Sequence, residues 1–465
     1  MRPISTIMLV LLLFPWYSPA DELKRITILQ TADIHSRTGS ASEPGIRQLA
    51  GALDSERQKA GGAGKCLLID CGDLLQGSLA ASSTKGGLGL AFMNELGYDA
   101  WIPGNHDFDF GTARFLEFLK GCRPSMLAAN LYADGKRPAL PWKIFEKDGM
   151  RIAVIGMTSP GLDRWHWGRI SYGMTASPIS GPLDAIIPEV TESRCDMIIL
   201  AVHQGPFQSE KADLNLGRIA EKYPQIDLVL GAHTHQPVPG ENAGFASWYV
   251  QPDPYCASFS LIKAEVDVKR HRTVKIESKL VGVAQGGSAS FKFSSSLENL
   301  LSKANVDSRK AIVSVDKEIP ADELNRMTAD AYFSKLPDAA CALLIPQERI
   351  INTGKFTEED LYWTFPYEDT LCSIELSAEE LKTVEDEAAR LKDATKLQIV
   401  ENRKSQLPAV KMKVALSSYL LAGAGGRMRT LADFARDPGR HTEDGGISIR
   451  DVFRKYIAGK FQVSR

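Results

Sequence analysis

The chain of 465 residues has little surplus charge of either sign. Its 55 Lys and Arg stand against 57 Asp and Glu, a formal net charge of -2. That balance offers no basic face for a nucleic-acid polymer or an anionic membrane surface. No C-x-x-C pair occurs, so neither a zinc ribbon nor a dithiol redox motif is indicated. The seven cysteines are an odd number, and those flanking an apparent strand, Cys66 and Cys71, read as buried thiols. There is no internal repeat of solenoid length. Beyond the extreme N-terminus no apolar run is long enough to span a bilayer. The final KFQVSR is polar, unlike the tail of a lipid-anchor signal. Histidine is scarce as well, with eight in the chain.

What is present begins with MRPISTIMLVLLLFPWYSPADE. Arg2, the apolar Ile7–Phe14 and the small residues of Ser18-Pro19-Ala20 make the pattern of a signal peptide over 1–20, with Asp21 as the first mature residue. An uncleaved anchor is the alternative, but the apolar run is short for a full span. Export to the periplasm or medium is therefore expected, with no stable membrane insertion after cleavage. The length predicts two domains, and 44% hydrophobic with 24% charged residues predicts a globular protein.

From Arg25 to about Val283, short Val/Ile/Leu runs alternate with helical spacing. ITILQTADIH, CLLIDCGD, RIAVIGMTSP, DMIILAVH and IDLVLGAHTH read as strands, with helices between them. This predicts a layered α/β domain over 21–283 with buried strands. A Gly/Ser-rich linker and a connecting helix follow over 284–310, and a second, smaller α/β domain over 311–465.

The chemistry-bearing residues sit just past the apolar strands: Asp33 and His35 in TADIH, Asp73 in CGD, Asn105, His106, Asp107 and Asp109 in GNHDFDFG, His203 after DMIILAV, and His233 and His235 in GAHTH. Residues at the carboxyl ends of sheet strands converge on one rim. Five of the eight histidines lie in these motifs. The other three, His166, His271 and His441, fit none and read as surface or packing residues. A mixed set of oxygen and nitrogen ligands suits first-row divalent ions better than calcium. It is too large for one ion and fits two bridged by a carboxylate, an arrangement suited to phosphoryl transfer.

In order, D-x-H, GD, GNH[DE], a lone His after a strand and GHxH resemble the calcineurin-like metallophosphoesterases. GNHDFDFG and GDLLQGS resemble more specifically the 5'-nucleotidase family. The resemblance implies a four-layer metallophosphoesterase β-sandwich flanked by helices, plus a smaller α/β C-terminal domain. It implies two divalent ions per chain, zinc, manganese or similar. Asp33, His35 and His235 would hold the first, Asp73 would bridge, and Asn105, His203 and His233 would complete the second. His106 and Asp109 would form the catalytic pair, and Asp107 would support its loop. Gly72 and Gly104 would let the loops approach the ions.

The implied activity is phosphoester hydrolysis by a metal-bridging hydroxide, on nucleotides or other small phosphoesters. A cyclic nucleotide, a nucleotide sugar, a sulfur ester, or a non-catalytic scaffold are the alternatives. In the second half, TGKFTEEDLYWTFPYEDTL resembles the family's substrate domain. N-G-G-G-I-R, however, appears as LLIPQERI and GGDG-aromatic as GAGGRM. Arg349 and Arg427 are the candidate substrate contacts there, and Phe365, Tyr367 and Tyr419 read as core aromatics. The sequence leaves oligomeric state open.

Overall fold

The computed structural model describes residues 23–40, 42–166, 173–206, 215–241, 247–284, 291–391, 397–403, 411–437, 440 and 443–461. The signal-peptide expectation and His441 lie outside them, as do residues 285–290 of the expected linker. Two six-stranded sheets form the centre of the N-terminal part. The first runs Arg272–Gly282, Ser258–Asp267, Leu23–Thr31, Cys66–Asp70, Ala100–Trp101, Ser125–Met126 in spatial order. The second runs Val238–Glu241, Trp248–Gln251, Leu228–Leu230, Met197–Val202, Met150–Met157, Trp142–Lys147.

Alternation along each strand decides which layer each side chain joins. In the first sheet Ile28, Leu67 and Ile69 face inward, and they meet Ile152, Val154, Ile199 and Leu230 of the second. Leu29 and Leu68, on the opposite face, pack under helices Ile46–Lys59 and Gly87–Leu96. Ile198, Leu200 and Val202 do the same beneath Ser180–Glu192 and Leu216–Lys222. The result is four layers, helix, sheet, sheet, helix, with strands buried on both faces. Such strands read as continuous apolar runs, as MIILAV does with every residue buried.

The smaller C-terminal α/β part has a five-stranded sheet ordered Gln398–Glu401, Cys341–Leu344, Met412–Ser417, Thr370–Leu376, Glu443–Ser448. Helices Ala321–Lys335 and Ile449–Lys460 cover one face, and Ala378–Ala389 and Arg429–Arg436 the other. The helix Ser295–Ser308, expected as a connector, is docked on the N-terminal part, where Leu297, Leu301 and Ala304 join the core beneath the first sheet. Arg47 donates two hydrogen bonds to Glu298, of 2.6 and 2.7 Å, and fixes its rotation. The seven cysteines form no disulfide, and six are buried.

Strand direction positions the site. Leu23–Thr31, Cys66–Asp70 and Ala100–Trp101 run parallel, as do Met150–Met157, Met197–Val202 and Leu228–Leu230. Each group therefore delivers its following loops to one end of its sheet.

Candidate metal centre and cavity

Two groups of side chains meet at that rim: Asp33, His35 and His235, and Asp73, His203 and His233, with ligand-type atoms within 4.8 Å of one another in each. Asp73 lies between them. Its Oδ2 is 3.2 Å from His203 Nε2 and 3.8 Å from His35 Nε2. In the first group His35 Nε2 and His235 Nε2 are 3.3 Å apart, and His235 Nε2 is 3.3 Å from Asp33 Oδ1.

Each ring is oriented from behind. Nδ1 of His35 is 2.9 Å from the carbonyl of Gln76, and Nδ1 of His203 is 2.7 Å from that of Cys71. Donation to those carbonyls turns both Nε2 atoms inward. At His35 that nitrogen is left as an acceptor, whereas at His203 burial opposes charge but the Asp73 carboxylate outweighs it and pushes the ring up to about 10. Tyr255 Oη is 3.2 Å from Nδ1 of His235 and holds that ring's orientation from a side chain.

The backbone is bent hard to achieve this. Asp33, His35, Asp73, His233 and His235 all have positive φ, between 52° and 74°. Non-glycine residues in that region store strain and cluster at functional sites. A single carboxylate braces the loops. Asp107 accepts hydrogen bonds from the backbone N–H groups of Asp73, Leu74, Leu75 and Gly104, at 2.7 to 3.0 Å. The two glycines leave the necessary space. A Cβ on Gly72, whose φ is 99°, would lie 2.4 Å from the nitrogen of Gly104, and one on Gly104 would lie 2.2 Å from Asp73 Oδ1.

Electrostatics separates the histidines. Burial holds His35 and His233 down to about 4, so both are neutral and ready to ligate. At His106 burial also opposes charge, but Asp109 and Asp73 outweigh it and push the ring up to about 9. Burial works against the charge of Asp73 as well. His203 and His106 outweigh that and hold the carboxyl well below its usual range. His106 Nδ1 is 3.0 Å from Asp109 Oδ2, and the His106 backbone N–H donates to Asp73 Oδ1 at 2.8 Å. The side-chain oxygen of Asn105 is buried and accepts no hydrogen bond among the described residues. An amide oxygen left bare inside a cluster of imidazoles and carboxylates fits a cation ligand.

A cavity of about 330 Å³ opens beside His106 and Asp109. Trp165 and His166 wall it on the N-terminal side, and Ile345, Tyr367, Glu368, Asp369, Tyr419 and Arg427 on the C-terminal side. One expectation is narrowed here and one changes. Of the surface and packing readings of His166 the structure gives packing, with the ring buried against the Asn105 carbonyl. Tyr367, read as core, is 55% exposed and stacks on His106, with ring centroids 5.5 Å apart and planes 19° from parallel. Phe365 does lie in the core. Arg427 hydrogen-bonds Tyr419 Oη in the cavity wall. Arg349 faces a separate polar cleft, where it pairs with Asp360 at 3.3 Å.

Sequence reasoning passed over Tyr255 and Trp165 along with His166. Their signals are weak: a tyrosine after a strand end, and a histidine flanked by tryptophans in RWHWG.

This combination of fold and rim resembles that of the metallophosphoesterases. Residues 26–237 match the family profile described as calcineurin-like phosphoesterase. Its relatives include a 5'-nucleotidase of Vibrio cholerae, 29% identical over 252 residues that make up 51% of this chain and 45% of the relative. Human 5'-nucleotidase is 29% identical over 253 residues, 50% of this chain and 42% of the relative. The matched stretch thus spans less than half the length of either relative. A Staphylococcus aureus protein solved with alpha-ketoglutarate has the same overall fold. It aligns with a TM-score of 0.78 over 95% of this chain and 98% of its own, at 16% identity.

Gly104→Ala is expected to displace the Asp73 carboxylate while leaving the sheets folded. Metal retained after dialysis should fall, with the circular dichroism spectrum unchanged. Retention at the wild-type level would contradict the close approach assigned to Gly104.

Proposed function

We propose that the protein is an exported phosphoesterase that works with two divalent ions and hydrolyses small phosphate esters, nucleotides foremost. The observation that carries this reading is the Asp73 carboxylate, one of the second three-residue group yet 3.8 Å from His35 of the first, with His106 and Asp109 beside it. Asp33, His35 and His235 would hold one ion. Asn105, His203 and His233 would hold the other, with Asp73 reaching both. The oxygen and imidazole donors suit zinc, manganese or a similar ion. When bound, such a pair supplies a nucleophilic water at neutral pH and neutralises charge on the phosphate.

The chain's own residues supply the rest. His106, kept protonated, donates its proton to the leaving oxygen. Cations seated on Asp73 would cancel much of that carboxylate's influence, which leaves Asp109 as the group that keeps the proton on His106. Asp109 also fixes the plane of the His106 ring through Nδ1. The leaving alcohol would occupy the cavity lined by Trp165, Tyr367 and Tyr419, where rings offer apolar faces to a base or a sugar. Arg427 offers the cavity's wall a positive charge for a second phosphate or a carboxylate. Export rests on the signal-peptide pattern of residues 1–20.

One feature favours a second reading, a phosphoester whose alcohol is not a nucleoside. Opposite the metal rim, Arg427 stands where the resemblance leads one to expect a second ring, and Glu368 and Asp369 add polar groups.

The test is a panel of AMP, UMP, a UDP-sugar, 2',3'-cyclic AMP, bis-p-nitrophenyl phosphate and p-nitrophenyl phosphate, with and without Mn²⁺ or Zn²⁺. Metal-dependent hydrolysis is expected, with a nucleotide preferred. Generic esters alone would favour the second reading, and metal-loaded protein inactive on the whole panel would contradict both. His106→Ala should lower turnover by about 10²–10⁴-fold, the range for a lost general acid, with metal content kept. Asp73→Ala should lose metal as well as activity. Full activity in His106→Ala would remove it from the acid role.

A further inference from the structure

We propose that His166 is a positioning residue for the His106–Asp109 pair; this rests on the phosphoesterase reading and deepens it. Residues 165 and 166 lie beyond the strand Met150–Met157 and reach back over the rim. The His166 ring is 7% exposed, and its Nε2 lies 2.9 Å from the backbone carbonyl of Asn105. A carbonyl accepts only, so that nitrogen carries the hydrogen and donates it. The same Nε2 lies 3.6 Å from Oδ1 of Asp109.

Asp109 uses its other oxygen, Oδ2, for His106 Nδ1 at 3.0 Å. Its Oδ1 is buried and accepts no hydrogen bond among the described residues. The His166 Nε2–H, directed at the Asn105 carbonyl, therefore brings its positive end close to the bare oxygen of Asp109. Rotation of the carboxylate would carry Oδ1 away from that dipole and Oδ2 away from His106. His166 opposes that rotation, and through the Asn105 carbonyl it also holds the turn from which His106 projects.

The segment bearing His166 is itself fixed from two sides. The Trp165 ring meets His233 edge-on, with centroids 5.4 Å apart and planes at 84°. Its far edge packs against Gly425 of the C-terminal part. That residue has a φ of 70°, and a Cβ there would fall 2.7 Å from the ring. Trp165 is thus wedged between the metal rim and the C-terminal wall, and it sets His166 at a constant height over Asp109.

A residue acting through the general acid matters in proportion to how much the leaving oxygen needs a proton. p-Nitrophenolate leaves without one, whereas an alkoxide does not. His166→Ala and His166→Gln in the full chain, compared on p-nitrophenyl phosphate and on the alkyl phosphate the wild type hydrolyses best, test this directly. His166→Ala is expected to lower kcat on the alkyl ester about tenfold, less than loss of the acid itself. The loss on p-nitrophenyl phosphate should be several-fold smaller than on the alkyl ester, and the metal content by emission spectroscopy should stay near wild type. His166→Gln, whose amide keeps a donor at the same reach, should recover most of the loss.

In a His106→Ala background, His166→Ala should cost nothing further, because two residues serving one proton transfer are not additive. Equal loss on both esters, loss of metal, or additive loss in the double variant would overturn the positioning role. Inactivity of the wild type on every phosphoester would be a different failure, that of the phosphoesterase reading, and would show before any variant was made.

Discussion

The Asp73 carboxylate is the constraint on which the site depends. It is buried, and it lies within 4 Å of two imidazole nitrogens from different groups, His203 Nε2 at 3.2 Å and His35 Nε2 at 3.8 Å. Its Oδ1 accepts the backbone N–H of His106. A charge placed there without partners would cost several kcal/mol in desolvation. The surrounding donors offset that cost, and two cations would offset it further. One side chain thus ties together both halves of the rim and the residue proposed to protonate the leaving group.

Holding Asp73 there requires a backbone that the sequence would not adopt alone. Residues in the left-handed region cost of order 1–3 kcal/mol each, and Asp33, His35, Asp73, His233 and His235 all lie in it. The strands before them, buried at their carboxyl ends, give the loops rigid starting points, and Asp107 gathers four backbone N–H groups onto one carboxylate. The C-terminal part adds a further brace, since Gln76 donates to the Pro366 carbonyl at 2.6 Å. Tyr367, just beyond, lies over His106. The cavity wall and the metal rim are therefore positioned by the same connections.

Much of this is legible in the sequence because buried parallel strands leave a plain signature. MIILAV and LVL are apolar on both faces and stop at His203 and just short of His233. A layered α/β domain follows from the alternation of those strands with helices, and the count of four layers is what the family resemblance implies. Asp107 is legible as a loop support from its place in GNHDFDFG. Less legible is whatever depends on long-range packing. His166 carries no motif, and only the folded chain brings it to Asp109. Tyr367 follows a proline in TFPY and is indistinguishable by pattern from Phe365 two positions earlier, yet one lies in the cavity and the other in the core. The helix Ser295–Ser308 reads as a connector because its apolar stripe is short. Its docking depends on Arg47, about 250 residues away in sequence.

The most direct test of the central claim is anomalous scattering from crystals of the protein grown with Mn²⁺. The account predicts two manganese peaks per chain roughly 3.5–4 Å apart, the spacing of paired ions in phosphoryl-transfer sites, with the Asp73 carboxylate reaching both. A single peak, or two peaks too far apart to share that carboxylate, would contradict it.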